Sequence, residues 1–301
     1  MTTHPHADDT QSSRTVVAGV DGSESSAYAA IWAAEEAARR GATLTLVHAL
    51  NLPDSALPPI EPAGYAQRRR AEGTSLLDKA VTGVRARFPD LMLDVELTDL
   101  DPAHTLVELS RTASLVVTGS RGHGGFTGML LGSVSRKLAA HAHCPAVVVR
   151  EQAPDPEASD LVVLGIGREP VPAAARYAFE TARREGIDLV ALRAWWPNAM
   201  RTGVVGLGSM YAGDPEHDHR AAIAEVEQAT KALRDEFPDV TVRVATAEGN
   251  AVPVLIDAAR AARLVVLGAH RRRGPLSVGP GYVVEGVLAH CPTPVAVVPE
   301  Q

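Results

Sequence analysis

The residues that most invite a chemical reading are glycines and serines. Gly119-Ser120-Arg121-Gly122 is followed, after nine residues, by Gly132-Ser133. Glycine has no Cβ to hold a backbone N–H away from an anion, and it turns with positive φ at little steric cost. Gly119 is therefore expected to turn the chain with positive φ after a buried strand. Gly122 is expected to bring main-chain N–H groups close to a phosphate. Gly132 and Ser133 stand where a helix should begin, and the unsatisfied N–H groups and dipole of a helix N-terminus favour an anion. Ser133 and Ser135 offer hydroxyl donors there. The segment 123–131 carries Gly124, Gly125 and Gly128, as a bending loop would. The pattern lacks the Gly-Lys-Ser/Thr of a P-loop, and it does not follow the first strand as a dinucleotide fingerprint would. A carboxylate stands at the end of another strand, in Val20-Asp21-Gly22-Ser23. Asp21 can accept from a ribose or an adenine amino group, or it can cap the helix that follows.

Other candidates read as structure. His141, His143 and Cys144 cluster before a strand, and His290-Cys291 repeats the theme. A metal needs three or four converging ligands, so these residues read as turns and no metal ligand is assigned. Trp195 and Trp196 read as cover for a sheet edge or an interface. Arg68-Arg69-Arg70 reads as a solvated helix face. His270-Arg271-Arg272-Arg273 reads as a solvated loop with some capacity for anions. Residues 199–213 read as a glycine-rich loop.

These motifs need a scaffold, and the pattern around them supplies one twice. Phe88-Pro89-Asp90 recurs as Phe237-Pro238-Asp239, a period of 149 residues. Between Phe88 and Val149, 19 of 62 positions are identical to the second copy without gaps. In each copy short β-branched runs alternate with apolar positions at helical spacing, which implies parallel strands with helices on both faces. The reading is two tandem five-stranded doubly wound sheets. Its segments are a 1–13 tail, a first domain over 14–150, a 151–159 linker and a second domain over 160–301. Such sheets bind ligands beyond the carboxyl ends of their strands, where the strand order reverses.

Bulk properties exclude several classes. The 301 residues carry a formal net charge of −7, against a nucleic-acid or membrane-surface binder that needs a broad basic face. Two cysteines far apart in sequence make no disulfide framework. No apolar run approaches a membrane span of about 18 residues, and the polar start resembles no secretory signal. A cytoplasmic location is expected.

The glycine loop after strand four and the Asp after strand one resemble the universal stress protein family, whose ATP-binding members carry G-x2-G-x9-G-[S/T]. The resemblance covers nearly the whole chain as a tandem, and implies a Rossmann-like, adenine nucleotide alpha hydrolase-like fold. It implies that phosphates rest on Gly119, Gly122, Gly132 and Ser133, with Val134 and Ser135 close by. It implies that Asp21 holds the ribose or base, that Ala49 lines the adenine pocket, and that Gly19 lets the backbone approach. The ligand implied is ATP, with Mg2+ entering alongside it if at all. Family members pair through the last strand, which implies pairing of the two copies and a homodimer of the whole chain. The second copy departs from the pattern: Arg271, Tyr282 and Gly167 stand at the positions of Gly122, Ser133 and Asp21. Arg271 would be strained if it kept a positive φ, and the Tyr282 ring would sit where a phosphate should. The second copy is expected to bind ATP weakly or not at all.

Phosphoryl transfer needs a held metal, a positioned nucleophile and charge stabilisation. The loop has no Lys and no carboxylate pair for Mg2+, and Asp21 is the one acid expected near the crevice. No catalytic residue is assigned. The reading is an ATP-binding stress-response regulator acting on an unknown protein partner. A slow ATPase and a ligand-free scaffold stand as alternatives.

Overall fold

The structure, a computed structural model, describes residues 15–52, 64–122, 130–150, 161–197, 214–269 and 280–300. The expected N-terminal tail and linker, the 199–213 loop, the middle of the glycine loop and the His270–Arg273 run lie outside the described residues. In the first half the described elements are β1 (Thr15–Gly19), α1 (Glu24–Arg40), β2 (Thr43–Ala49), α2 (Tyr65–Arg87), β3 (Leu93–Thr98), α3 (Pro102–Leu109), β4 (Leu115–Gly119), α4 (Ser133–His141) and β5 (Ala146–Val149). In the second they are β6 (Leu161–Gly165), α5 (Pro172–Glu185), β7 (Asp188–Trp195), α6 (Pro215–Glu236), β8 (Val242–Glu248), α7 (Ala251–Ala259), β9 (Leu264–Ala269), α8 (Tyr282–His290) and β10 (Val295–Pro299).

Each half is the expected five-stranded parallel sheet. The two are not separate, however. They join as one sheet in the order β3-β2-β1-β4-β5-β10-β9-β6-β7-β8. All pairings are parallel except the junction, where β5 and β10 run antiparallel with Val148 opposite Val295, Val147 opposite Ala296 and Ala146 opposite Val297. The central strands are buried on both faces, which is why they read as unbroken Val/Leu runs.

The helices divide between the faces. Val16 and Ala18 pack with α1 on one face, in a cluster that also includes Ala175, Ala178 and Phe179 of α5. Val17 points the other way, to Leu106 of α3 and Leu138 of α4. α1 is well marked in the sequence. Ser23 is its N-cap, Arg39 and Arg40 close its last turn, and Gly41 ends it with φ 60°. Its buried face is Ala29, Ala30, Ala33, Ala34 and Ala37, small residues that let the helix sit close to the sheet.

At its C-terminal end α1 meets α5 through buried charge. Glu36 is 1% exposed. Its Oε1 accepts from Arg40 Nε at 2.6 Å and from Arg184 Nη2 of α5 at 2.6 Å. Arg263 pairs with Glu35 of the first half at 2.8 Å and with Glu185 of the second at 2.6 Å. Burial raises the Glu185 carboxyl above its usual range, against the lowering effect of Arg39 and Arg263. Removing one partner of a buried pair leaves the other charge desolvated and unmatched, at a cost of about 3–5 kcal/mol. Glu36→Ala is therefore expected to lower the unfolding free energy by about that amount in urea titrations. A loss under about 1 kcal/mol would show that the cluster contributes no more than an exposed ion pair.

Candidate functional site

The strand order reverses between β1 and β4, and a cleft of about 910 Å³ opens there at the carboxyl ends of the strands. That is the size range of small-molecule sites. All nine residues expected at the ligand line it: Gly19, Asp21, Ala49, Gly119, Gly122, Gly132, Ser133, Val134 and Ser135.

The chain folds this way locally for reasons that begin at Asp21. Its Oδ1 accepts from the Ser23 backbone N–H at 3.0 Å and from Ser23 Oγ at 2.6 Å. Ser23 Oγ in turn accepts from the Ser26 N–H at 3.2 Å and so caps α1. Asp21 is therefore not the cap. It holds the cap, and its own carboxylate lies at the cleft.

The glycines act differently from expectation. Gly119 does not have positive φ. A Cβ on it would meet Ser25 Oγ at 2.5 Å, and Ser25 C and Ser26 N at 2.8 and 2.9 Å. Gly119 lets the first turn of α1 lie against the end of β4. Gly268 does the same in the second half, where a Cβ would meet Val171 at 2.5 Å. This packing duty explains why that glycine survives in both copies. Gly122 also lacks positive φ. A Cβ there would lie 2.5 Å from Asp21 Oδ2, so the glycine belongs to the carboxylate beside it. The second half has Gly167 in place of Asp21. Because Gly122 lacks a positive φ, the strain expected for Arg271 on that ground loses its basis; Arg271 itself lies outside the described residues. Gly19 clears Leu106, whose Cδ1 would be 2.8 Å from a Cβ.

Both ends of the glycine loop are tied down. Gly132 N–H donates to Ser120 O at 2.8 Å, and Ser135 Oγ donates to Gly119 O at 2.6 Å. The Ser135 hydroxyl, 2% exposed, is thus spent on the backbone and is not the ligand donor expected from its position. Ser133 remains exposed. Gly132 caps α4 with no side chain to bond the first N–H groups, and no described backbone carbonyl accepts from Ser133 or Val134. An uncapped helix start facing a cleft presents donors and a positive dipole end to an anion.

At the far end of the cleft lie residues that no local pattern marked. His48 Nδ1 bonds Val20 O at 2.7 Å and fastens β2 to the turn after β1. Gly73 of α2 makes room for Leu97, His48 and Leu50, each within 2.9 Å of where its Cβ would be. Arg69, expected on a solvated face, lines the cleft with Glu72, and the two pair at 3.3 Å. Asp21 is therefore not the only acid there.

The second half closes the same region. By strand register Arg193 replaces His48. At the 149-residue offset Ala222 replaces Gly73 and Glu225 replaces Leu76. The buried Arg193 side chain bonds Ile166 O at 3.4 Å and pairs with Glu225. The ion pair links β7 to α6, whereas the residues at the same places in the first half, His48 and Leu76, line the cleft. Trp195 stacks on His219 with centroids 5.2 Å apart, and Trp196 is 45% exposed. Tyr282 begins α8, as Ser133 begins α4, and is 74% exposed.

The His/Cys turns carry no metal cluster among the described residues. Burial, above all, pushes the Cys144 thiol up to about 12 and the Cys291 thiol up to about 11. Both stay protonated at neutral pH, where only the thiolate reacts. An Ellman titration at pH 7.5 is expected to find no reactive thiol in the native protein and two after denaturation. Prompt labelling of the native chain would contradict this burial.

Comparison with known proteins gives one answer. A sequence model of the universal stress protein family matches residues 12–150 and again 160–299. A universal stress protein of Mycobacterium tuberculosis is 34% identical over 290 residues, covering 94% of this chain and 96% of the relative. Another from the same organism is 31% identical over 297 residues, covering 96% and 97%. The crystal structure of a universal stress protein from Archaeoglobus fulgidus superposes with a TM-score of 0.68 at 18% identity, over 96% of this chain and 98% of that one. With two family matches filling most of its length, the chain belongs to the universal stress protein family.

Proposed function

We propose that this protein is a nucleotide-dependent regulator whose first half binds ATP in the cleft between β1 and β4. The observation that carries the reading is the uncapped start of α4, opening onto the same cleft as Asp21 and Ala49. The residues present fit such a ligand. The N–H groups of Ser133 and Val134 and the Ser133 hydroxyl would hold the phosphates. Gly122 would let main chain approach them, and Gly132 keeps the helix start free of a side chain. Asp21, oriented by Ser23, would accept from the ribose. Ala49, Leu50 and Leu76 line the cleft and would give a base an apolar lining. The second half also starts α8 at a glycine with no side-chain cap, Gly281, but it has Gly167 in place of Asp21 and an ion pair, Arg193–Glu225, at the places of His48 and Leu76.

A regulator is favoured over an efficient enzyme. Asp21 is the acid read as holding the ribose, and Glu72 is paired with Arg69, so no acid lining the described cleft is assigned to activating a water. Binding would instead stabilise one arrangement of the loop ends and bias contact with a protein partner. A homodimer would need a surface other than β5 or β10, because each of these strands is paired on both sides within the chain. No described helix is long and apolar enough to cross a membrane. We expect the site of action to be the cytoplasm.

Gly122→Glu tests the reading. Even a Cβ at 122 clashes with Asp21 Oδ2, and the added carboxylate repels phosphate. ATP affinity by calorimetry is expected to fall at least about 100-fold, with near-unchanged circular dichroism, because like charge and lost contact together exceed about 2.7 kcal/mol. Undiminished affinity would remove the glycine loop from the ligand site. Steady hydrolysis lost on Asp21→Ala would favour the slow-ATPase alternative.

A further inference from the structure

We propose that Arg150 is a positioning residue for the cleft, through which the second half of the chain holds the α4 end of the glycine loop in place. The proposal rests on the nucleotide reading for its functional consequence, and on geometry for its mechanics. Arg150 directly follows β5 and bridges the two halves. Its Nη2 donates to Leu130 O at 3.2 Å, two residues before Gly132. The same nitrogen donates to Leu288 O at 3.1 Å and to Ala289 O, at the C-terminal end of α8. Those carbonyls are the negative pole of the helix dipole, and a cation is favoured there. A guanidinium suits the role because it is always charged and presents several donors in a fixed plane.

A second, apolar anchor sits beside the first. Leu131 packs against the second half's apolar cluster, which contains Val287 and Leu288 of α8. Ala139 of α4 belongs to that cluster as well. Arg136 lies 3.8 Å from Glu285, but both are exposed and the pair adds little. Polar and apolar anchors thus flank Leu130-Leu131, immediately ahead of the helix start whose N–H groups would meet phosphate. Neither Arg150 nor Leu131 lines the cleft. Their effect is indirect: they fix where the donors of Ser133 and Val134 stand, and a displacement of about 1 Å is enough to weaken a site built on fixed donors. The degenerate half is on this view a mount for the functional one.

The test uses the full chain with ATP as the probe, and compares wild type with Arg150→Gln and Leu131→Ala. Leu131→Ala leaves the Arg150 bonds to α8 intact, and so separates anchoring of the loop from capping of α8. Both variants are expected to bind ATP about fivefold more weakly or worse. Both should also speed amide exchange at residues 130–136 while β1 and β2 exchange as in wild type. If Arg150→Gln loosens the whole sheet, Leu131→Ala decides alone. Wild-type affinity in the deciding variants overturns the proposal and leaves the nucleotide reading standing. If the wild type binds no ATP, that reading falls and exchange decides the anchor: unchanged rates at 130–136 overturn it, and faster rates sustain it.

Discussion

Three residue pairs along β5 and β10 make one sheet out of two, and most of the rest of the molecule follows from them. A parallel five-stranded sheet has an exposed last strand whose unpaired N–H and C=O groups invite another chain. Here each half supplies the other's missing neighbour. The antiparallel register turns the second half about the junction. α1 and α5 then meet on one face, where Glu36 and Arg184 join them. α4 and α8 meet on the other, where Arg136 and Glu285 face each other. Among the described strands, the sheet ends at β3 and β8.

That arrangement allows the two copies to diverge. A sheet closed within one chain no longer needs two equal halves. The first half keeps Asp21 beside Gly122, and His48 and Leu76 line its cleft. The second also starts its last helix at an uncapped glycine, Gly281, but replaces the residues at the Asp21, His48 and Leu76 positions. Gly167 stands in place of Asp21, so the carboxylate that lies against Gly122 in the first half has no counterpart. Arg193 takes over the strand-bridging bond of His48 and extends it into an ion pair with Glu225. What is preserved, such as Gly268 against Val171, is what the packing of the fold demands.

Much of this was legible in the sequence, and the exceptions share a cause. The twofold repeat and the alternation of strand and helix read from the sequence hold in the described elements. α6 begins at Pro215, where Asp214 caps it and proline suits the first turn. β3 begins at Leu93, and Leu91 before it packs in the core with α1 and α2. The glycine loop was legible because its residues lie close together along the chain. The reasons for its glycines were not, since the atoms that exclude a Cβ come from α1, α3 and Asp21, far away in sequence. His48, Gly73 and Arg69 escaped notice for the same reason: each is brought to the cleft by packing of α2 on β2. The junction was foreseen only through the resemblance, because strand sequence alone does not say which edge finds which.

The central claim is that one half holds nucleotide and the other is closed to it. Isothermal calorimetry of the full chain with ATP measures this directly as a stoichiometry. The account predicts one ATP per chain. Two sites per chain would contradict the closure of the second half, and none would contradict the proposed role of the first.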